Sequence, residues 1–236
     1  MSADGRKPDP RIRWSKKWAA RPGGPQAIWR SSAPPAGLRD LLPTLDLPVG
    51  GALDVGCGDG VTARFLGERF RPTVGIDIAY DAVRIATEDA RRENSAAVFV
   101  AGDVTAPPFP DASFSFLFDR GTFHKLPREL HAPYFEAMER ILRPNGVLFL
   151  MAASDVHRKG WSKRVLKRRI ARLLGFSRTG KGPSEDEVRR LVPASFAIVD
   201  VRREKHKDRQ GTVFFNRFVF RKRDGVAVRA SERDAT

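Results

Sequence analysis

Asp54-Val55-Gly56-Cys57-Gly58-Asp59-Gly60 gathers, in one short run, the residue types that let a backbone wrap closely around a small ligand. Glycines at alternate positions turn tightly and admit a ligand without Cβ clashes. A dinucleotide fingerprint wants Gly-x-Gly-x-x-Gly, whereas here an acid precedes glycines at alternate positions. Such an acid repels a pyrophosphate and suits an ammonium or a water network. Taken alone, the run could equally be a turn that only lets a strand pack on a helix. Two further acids argue against that. Gly75-Ile76-Asp77-Ile78 places a carboxylate about twenty residues on, where it can accept both hydroxyls of a ribose. Ala101-Gly102-Asp103-Val104 supplies another after a third apolar run.

The elements that must position these acids follow from the order of apolar runs. Ala52 to Val55, Thr73 to Ile78 and Ala97 to Ala101 read as strands, with amphipathic helices at Val61 to Phe70 and Asp81 to Glu93 between them. Phe114 to Phe118 and Val147 to Ala152 are nearly continuous apolar runs, separated by a helix at Arg128 to Leu142 and a turn at Arg143-Pro144-Asn145-Gly146. Runs apolar throughout suit central parallel strands covered on both faces. The expected fold is α/β, a Rossmann-like doubly wound seven-stranded sheet. It is mostly parallel with an antiparallel closing hairpin, and its ligand crevice lies beyond the strands' C-terminal ends. The hairpin is expected at Phe196 to Arg203 and Val213 to Arg221, after a capping box at Ser184-Glu185-Asp186-Glu187. Trp161 to Leu174 reads as a basic amphipathic helix. One domain over 1–236 is expected, with an N-terminal arm or lid (1–48), a cofactor-binding core (49–153), a basic helical insert (156–182) and a closing helix and hairpin (184–222).

The acids and glycines of residues 49 to 153 resemble the class I S-adenosylmethionine-dependent methyltransferases. In that family the positions matching Asp54, Gly56, Gly58 and Gly60, with Cys57 between them, surround the methionine moiety. The one matching Asp77, with Ile78 beside it, binds ribose, and the one matching Asp103, with Val104, holds adenine. Asp119-Arg120-Gly121-Thr122-Phe123 is similar to the Asp-Arg-Gly segment of thiopurine S-methyltransferases and their bacterial relatives. So is the lead-in Trp14-Ser15-Lys16-Lys17-Trp18, followed by Trp29. The resemblance implies that Trp14 and Trp29 close over the cofactor beside Asp119, that Arg120 and Phe123 face the acceptor, and that Lys205 and His206 border its pocket. The glycine loop departs from that branch and resembles generic small-molecule methyltransferases, and the basic insert has no counterpart there.

Methyl transfer from a sulfonium needs positioning and desolvation more than force. A thiolate acceptor wants only a cation that favours its ionised form, a role open to Arg120. A hydroxyl or amine acceptor wants a base, and His124 has the right intrinsic pKa. Both are the catalytic candidates, and His124 also counts as a substrate contact. His131 and His157 are assigned to the surface. Cys57, the sole thiol, is expected to be a small spacer, which leaves no nucleophile for base C5 methylation and no internal disulfide. No Asn/Asp-Pro-Pro-aromatic motif for exocyclic base amines follows the fourth strand, and no second cluster of acids suggests a metal.

The chain has 236 residues, 41% of them apolar, and no membrane-length apolar run, which fits one soluble α/β domain. The net charge of +15 is concentrated in 1–30, 156–182 and 202–236. These segments could draw an anionic substrate, a nucleic acid or a lipid surface, or simply be solvated arginine. The expected partner is a small-molecule acceptor in the cytoplasm. RNA binding and a non-catalytic adaptor are the alternatives, and nothing in the sequence fixes an oligomeric state. A thiol or specialised metabolite is the leading acceptor, with O- or N-methylation of a natural product as runner-up.

Overall fold

The computed structural model describes residues 9–19, 33–153, 183–208 and 211–224, without the side chains of 206–208 and 211–213. The basic insert, Trp29, His157 and the last dozen residues therefore lie outside the described residues. Helix α1 (Pro10–Ala19) and the short α2 (Ala36–Leu41) precede a βα repeat: β1 (Gly51–Val55), α3 (Val61–Leu66), β2 (Thr73–Asp77), α4 (Tyr80–Arg92), β3 (Val98–Ala101) and β4 (Phe114–Arg120). After two 3₁₀ turns come α5 (His131–Ile141), β5 (Leu142–Ala153), α6 (Glu185–Leu191), β6 (Phe196–Asp208) and β7 (Gly211–Lys222).

The strands form one seven-stranded sheet in the order β3-β2-β1-β4-β5-β7-β6. The pairs from β3 through β5 are parallel, and β7 runs antiparallel to both β5 and β6. Strand order reverses between β1 and β4, the switch point beyond whose strand ends open α/β sheets bind their ligands.

Period-two alternation divides each central strand between two cores. Leu53, Leu117, Leu148 and Leu150 face a cluster with Phe135 and Met138 of α5 and Val188 of α6. Ala52, Phe116, Phe118 and Phe149 face another with Leu38 of α2 and Leu66 of α3. Both faces of the sheet are thus covered, which is why these strands read as unbroken apolar runs. The capping box is present, with Ser184 Oγ accepting from the Glu187 N–H at 3.2 Å.

Several boundaries move for local reasons. Helix α3 ends at Leu66 rather than Phe70, because Gly67 and the exposed Glu68-Arg69 turn the chain and deliver Phe70 to the core as a single anchor. Residues 128–130 are 3₁₀ before α5 begins. No linker separates α5 from β5. Leu142 already pairs with Phe114, and Val147 pairs with Phe116, so the expected turn at 143–146 is an excursion inside the strand with Asn145 at φ 62°. Arg143 holds that excursion by donating to the carbonyls of Ala112 and Val49. The closing strands run on to Asp208 and Gly211. Beneath them Arg217 bridges the carboxylates of Asp200 and Glu204.

Candidate functional site

Hydrogen bonds carry the end of β1 into the glycine loop and fix it to β2. The N–H groups of Gly56 and Cys57 both donate to the Ile76 carbonyl, at 2.7 and 3.0 Å. Asp77, at the end of β2, then takes the Gly58 N–H on Oδ2 at 3.0 Å and the Ala79 N–H on Oδ1 at 2.8 Å. One carboxylate thereby ties the loop to the start of α4. The Gly102 N–H donates to the Asp77 carbonyl and brings Asp103 to the same edge. Asp103 Oδ1 accepts from both the N–H and the hydroxyl of Thr105. Ile78 lies beside this edge, half-buried.

Glycine is required at two loop positions for separate reasons. Gly56 has φ +71°, and a Cβ there would coincide with the hydroxyl of Thr122, which itself donates to the Val55 carbonyl at 3.1 Å. Gly58 has φ +55°, and a Cβ there would lie 3.0 Å from the Trp18 ring. Gly60, also left-handed, opens α3. Trp18 is 5% exposed and packs α1 against Ala79, just before α4, and Ala82 within it. The tryptophan that reaches the loop is therefore Trp18 rather than Trp14. Trp14 lies to the side, near Ile85, under the Lys17 ammonium at 3.8 Å. The signal was in the sequence, because an i, i+4 pair lies along one helix face.

Asp54 stands behind the loop, 4% exposed, and its Oδ2 has no hydrogen-bond partner. Burial pushes its pKa up to about 8, and the carboxylates of Asp119, Asp59 and Asp77 add to the rise. Burial also raises Asp77 from its ordinary value, and it pushes the Cys57 thiol well up with help from Asp77 and Asp54. Cys57 is buried between the glycines, and its raised pKa disfavours the thiolate. An unpartnered buried oxygen backed by three more acids suits a cationic ligand group. With the ribose-type acid at Asp77, the residues fit S-adenosylmethionine, whose amino-acid end carries an ammonium.

The acceptor-side expectations need correction at several residues. Asp119 is fully buried and does not face the crevice: Oδ1 accepts the Thr122 N–H at 2.8 Å, and Oδ2 accepts the Phe123 N–H at 3.0 Å and the Tyr134 hydroxyl at 2.8 Å. It shapes the loop. Phe123 is likewise core, packed among His131, Tyr134 and Phe135. His131 is 4% exposed instead of lying on the surface, because its ring fills the gap beside Phe123 at 4.4 Å. The Val104 side chain belongs to the core with Leu53 and Ile76.

His124 accepts the Ala153 N–H on Nδ1 at 3.1 Å, and burial lowers its pKa to about 3. A neutral imidazole whose Nδ1 accepts carries its proton on Nε2, so this tautomer presents a donor and no basic nitrogen. The ring edge meets Phe215 at 6.2 Å, and the Arg120 guanidinium lies over the same ring at 5.9 Å. Phe215 of β7 thus joins the two catalytic candidates, a contact that no local motif announces. Lys125, next along, has its pKa lowered by desolvation and by the Lys17 ammonium of α1. Lys205 is exposed on β6 opposite Phe214. The His206 side chain is not among those described. Among the described residues no group of three or more ligating side chains could hold a metal, and no helix is long and apolar enough to cross a membrane.

Comparison with known proteins agrees with the geometry. A family model described as a methyltransferase domain matches residues 52–146. The fatty-acid O-methyltransferase of Mycolicibacterium smegmatis is 36% identical over 97 residues, which are 40% of this chain and 34% of that protein. The 2-heptyl-1-hydroxyquinolin-4(1H)-one methyltransferase of Mycobacteroides abscessus is 33% identical over 107 residues, 45% of this chain and 47% of that one. The chain therefore spans less than half the length of either relative. The crystal structure of a SAM-dependent methyltransferase from Methanosarcina mazei superposes with a TM-score of 0.63 at 20% identity, covering 81% of this chain and 99% of that one. Residues 52–146 match the methyltransferase-domain model, and the architecture of the described residues is Rossmann-like.

Proposed function

We propose that the protein is an S-adenosylmethionine-dependent methyltransferase whose small-molecule acceptor presents an atom that is already anionic at neutral pH, a thiolate or an acidic oxygen. One observation carries this reading: the only histidine at the acceptor edge among the described residues has its Nδ1 engaged by the Ala153 N–H and a pKa of about 3. Such a ring cannot serve as general base near neutrality. A nucleophile that arrives ionised needs no base.

When bound, the cofactor supplies an electrophilic methyl group. Asp77 accepts the ribose hydroxyls with the lone pairs that its two backbone bonds leave over, and Asp103 borders the adenine. Asp54 Oδ2 faces the ammonium. Arg120, braced on Phe215, favours the ionised acceptor and holds it in line. His124 can donate one hydrogen bond from Nε2–H to the same group. The buried Phe123 layer beneath the loop keeps these groups from shifting.

The thiolate form of the reading rests on the Asp119-Arg120-Gly121 segment and its likeness to the thiopurine S-methyltransferase branch. The acidic-oxygen form draws support from the relatives, whose names specify a fatty-acid oxygen and a hydroxyquinolinone. Calorimetry with S-adenosylhomocysteine tests the cofactor. Methyl transfer to a panel of aryl thiols, fatty acids and N-hydroxyquinolones, with neutral amines alongside, tests the acceptor. No binding at millimolar product would overturn the assignment, and turnover of neutral amines alone would overturn the anionic acceptor.

A further inference from the structure

The mechanism above gives Asp54 a partner but leaves open the charge it carries beforehand. Its carboxyl group is 4% exposed, with Oδ2 facing no donor. Among the described residues the titratable groups that act on it are all acids: Asp119 from β4, Asp59 from the loop before α3, Asp77 from β2, and the Cys57 thiol within the loop. Only the Ala63 backbone N–H favours the ionised form. A second buried negative charge among these would meet repulsion in a low dielectric and have no donor on one oxygen. A proton removes both costs.

Resting on the cofactor reading above, we infer that Asp54 exchanges a proton for the cofactor's ammonium. The carboxyl is neutral in the free protein, the arriving ammonium pairs with Oδ2, and the carboxyl proton leaves for solvent. Atoms and charge balance: a carboxylic acid, an ammonium and one water become an ammonium carboxylate pair plus one hydronium. The crevice then gains one positive group and loses one proton, so the exchange of ammonium for proton at Asp54 is itself charge-neutral. Cofactor affinity is consequently linked to pH. While Asp54 is protonated in the free protein and ionised in the complex, affinity for the product rises about tenfold per pH unit. It levels off once the free carboxyl ionises by itself, near the value of about 8 that burial gives it.

Calorimetry on the full chain reads the proton directly. S-adenosylhomocysteine is titrated at pH 6.5 in phosphate and in Tris, whose ionisation enthalpies differ, and the change in observed heat counts protons released. Close to one proton per molecule bound is expected, together with the affinity slope between pH 6 and 7.5. 5′-Methylthioadenosine, which lacks the ammonium and carboxylate, should bind with no release, and Asp54→Asn should bind S-adenosylhomocysteine with no release and a flat pH profile. Equal heats in both buffers, equal release with the two ligands, or undiminished release from the folded Asp54→Asn variant would each overturn the inference. Failure of S-adenosylhomocysteine to bind at all would instead overturn the cofactor assignment. If Asp54→Asn does not fold, the comparison of the two ligands on the natural chain decides.

Discussion

Tyr134 on α5 donates its hydroxyl proton to Asp119 Oδ2 at 2.8 Å, and both groups are fully buried. Through that bond the helix on one face of the sheet sets the loop that carries Arg120 and His124, because Asp119 is also the acceptor for the Thr122 and Phe123 N–H groups. Burial raises Asp119 to about 6, and the donors of Thr122, Tyr134, Phe123 and Gly121 hold it below where burial alone would put it.

Tyr134→Phe should therefore cost about 1.5 to 3 kcal/mol, the usual worth of a hydrogen bond to a charged group, in urea unfolding. Turnover should fall while product affinity stays nearly unchanged. Losing the hydroxyl pushes Asp119 further up, so the acid limb of the turnover profile moves to higher pH. An unmoved limb would mean that Tyr134 contributes packing only.

Asp54→Asn should reshape stability against pH. The folded value of about 8 lies above the ordinary 3.8, so the folded chain binds more protons than the unfolded one between these limits. The stability linked to this group is fully present below about pH 4 and is lost as pH rises through 8, by at most about 1.4 kcal/mol per unit. The asparagine lacks that loss. Unfolding midpoints at pH 5 and 8 should converge in the variant relative to the natural chain.

Arg120 and His124 should respond to removal to very different degrees. With an accepted acid or thiol, Arg120→Ala is expected to lower turnover about 10²-fold, the cost of one preorganised charge-stabilising donor, and to shift the profile toward alkaline pH. His124→Asn, which keeps an acceptor near the Ala153 N–H, should stay within about tenfold, because loss of a true general base costs about 10² to 10⁴. A hundredfold loss at His124 with a flattened acid limb would restore it as the base.

Gly56→Ala tests the junction between the two halves of the crevice. Its left-handed φ costs a side chain about 1 to 2 kcal/mol, and the Thr122 hydroxyl occupies the place of the new methyl. Cofactor affinity and loop order should both suffer. Adding Thr122→Ser would not relieve it, since the hydroxyl remains. Thr122→Ala should recover part of the stability.

The order of strands and the acids at Asp54, Asp77 and Asp103 could be read before any fold was known, because apolar runs and strand-end residues are local signals. Side-chain direction could not. Asp119 and Phe123 sit where a loop motif suggests exposure, yet the chain turns them inward to meet Tyr134 and Phe135 on a helix that begins later in sequence, and His131, the first residue of that helix, packs on Phe123. Phe215 escaped notice because it lies far from Arg120 along the chain and arrives only through the β5–β7 pairing. The seamless passage from α5 to β5 was hidden for a related reason. A Pro-Asn-Gly sequence signals a turn, and only the partner strand reveals that the flanking residues stay in register.

Ala153, where β5 ends, is paired with Phe215 of β7. The chain re-enters the sheet through α6 at the outer strand β6, and β7, lying between β5 and β6, then brings it back beside Ala153. Closing a longer or shorter excursion between such neighbouring points costs little extra entropy. Modularity follows: residues 52–146 can stay constant while the length of chain between Ala153 and the hairpin varies. On the function proposed above, acceptor preference could then diverge independently of the cofactor loop, with Phe215 as the fixed seam.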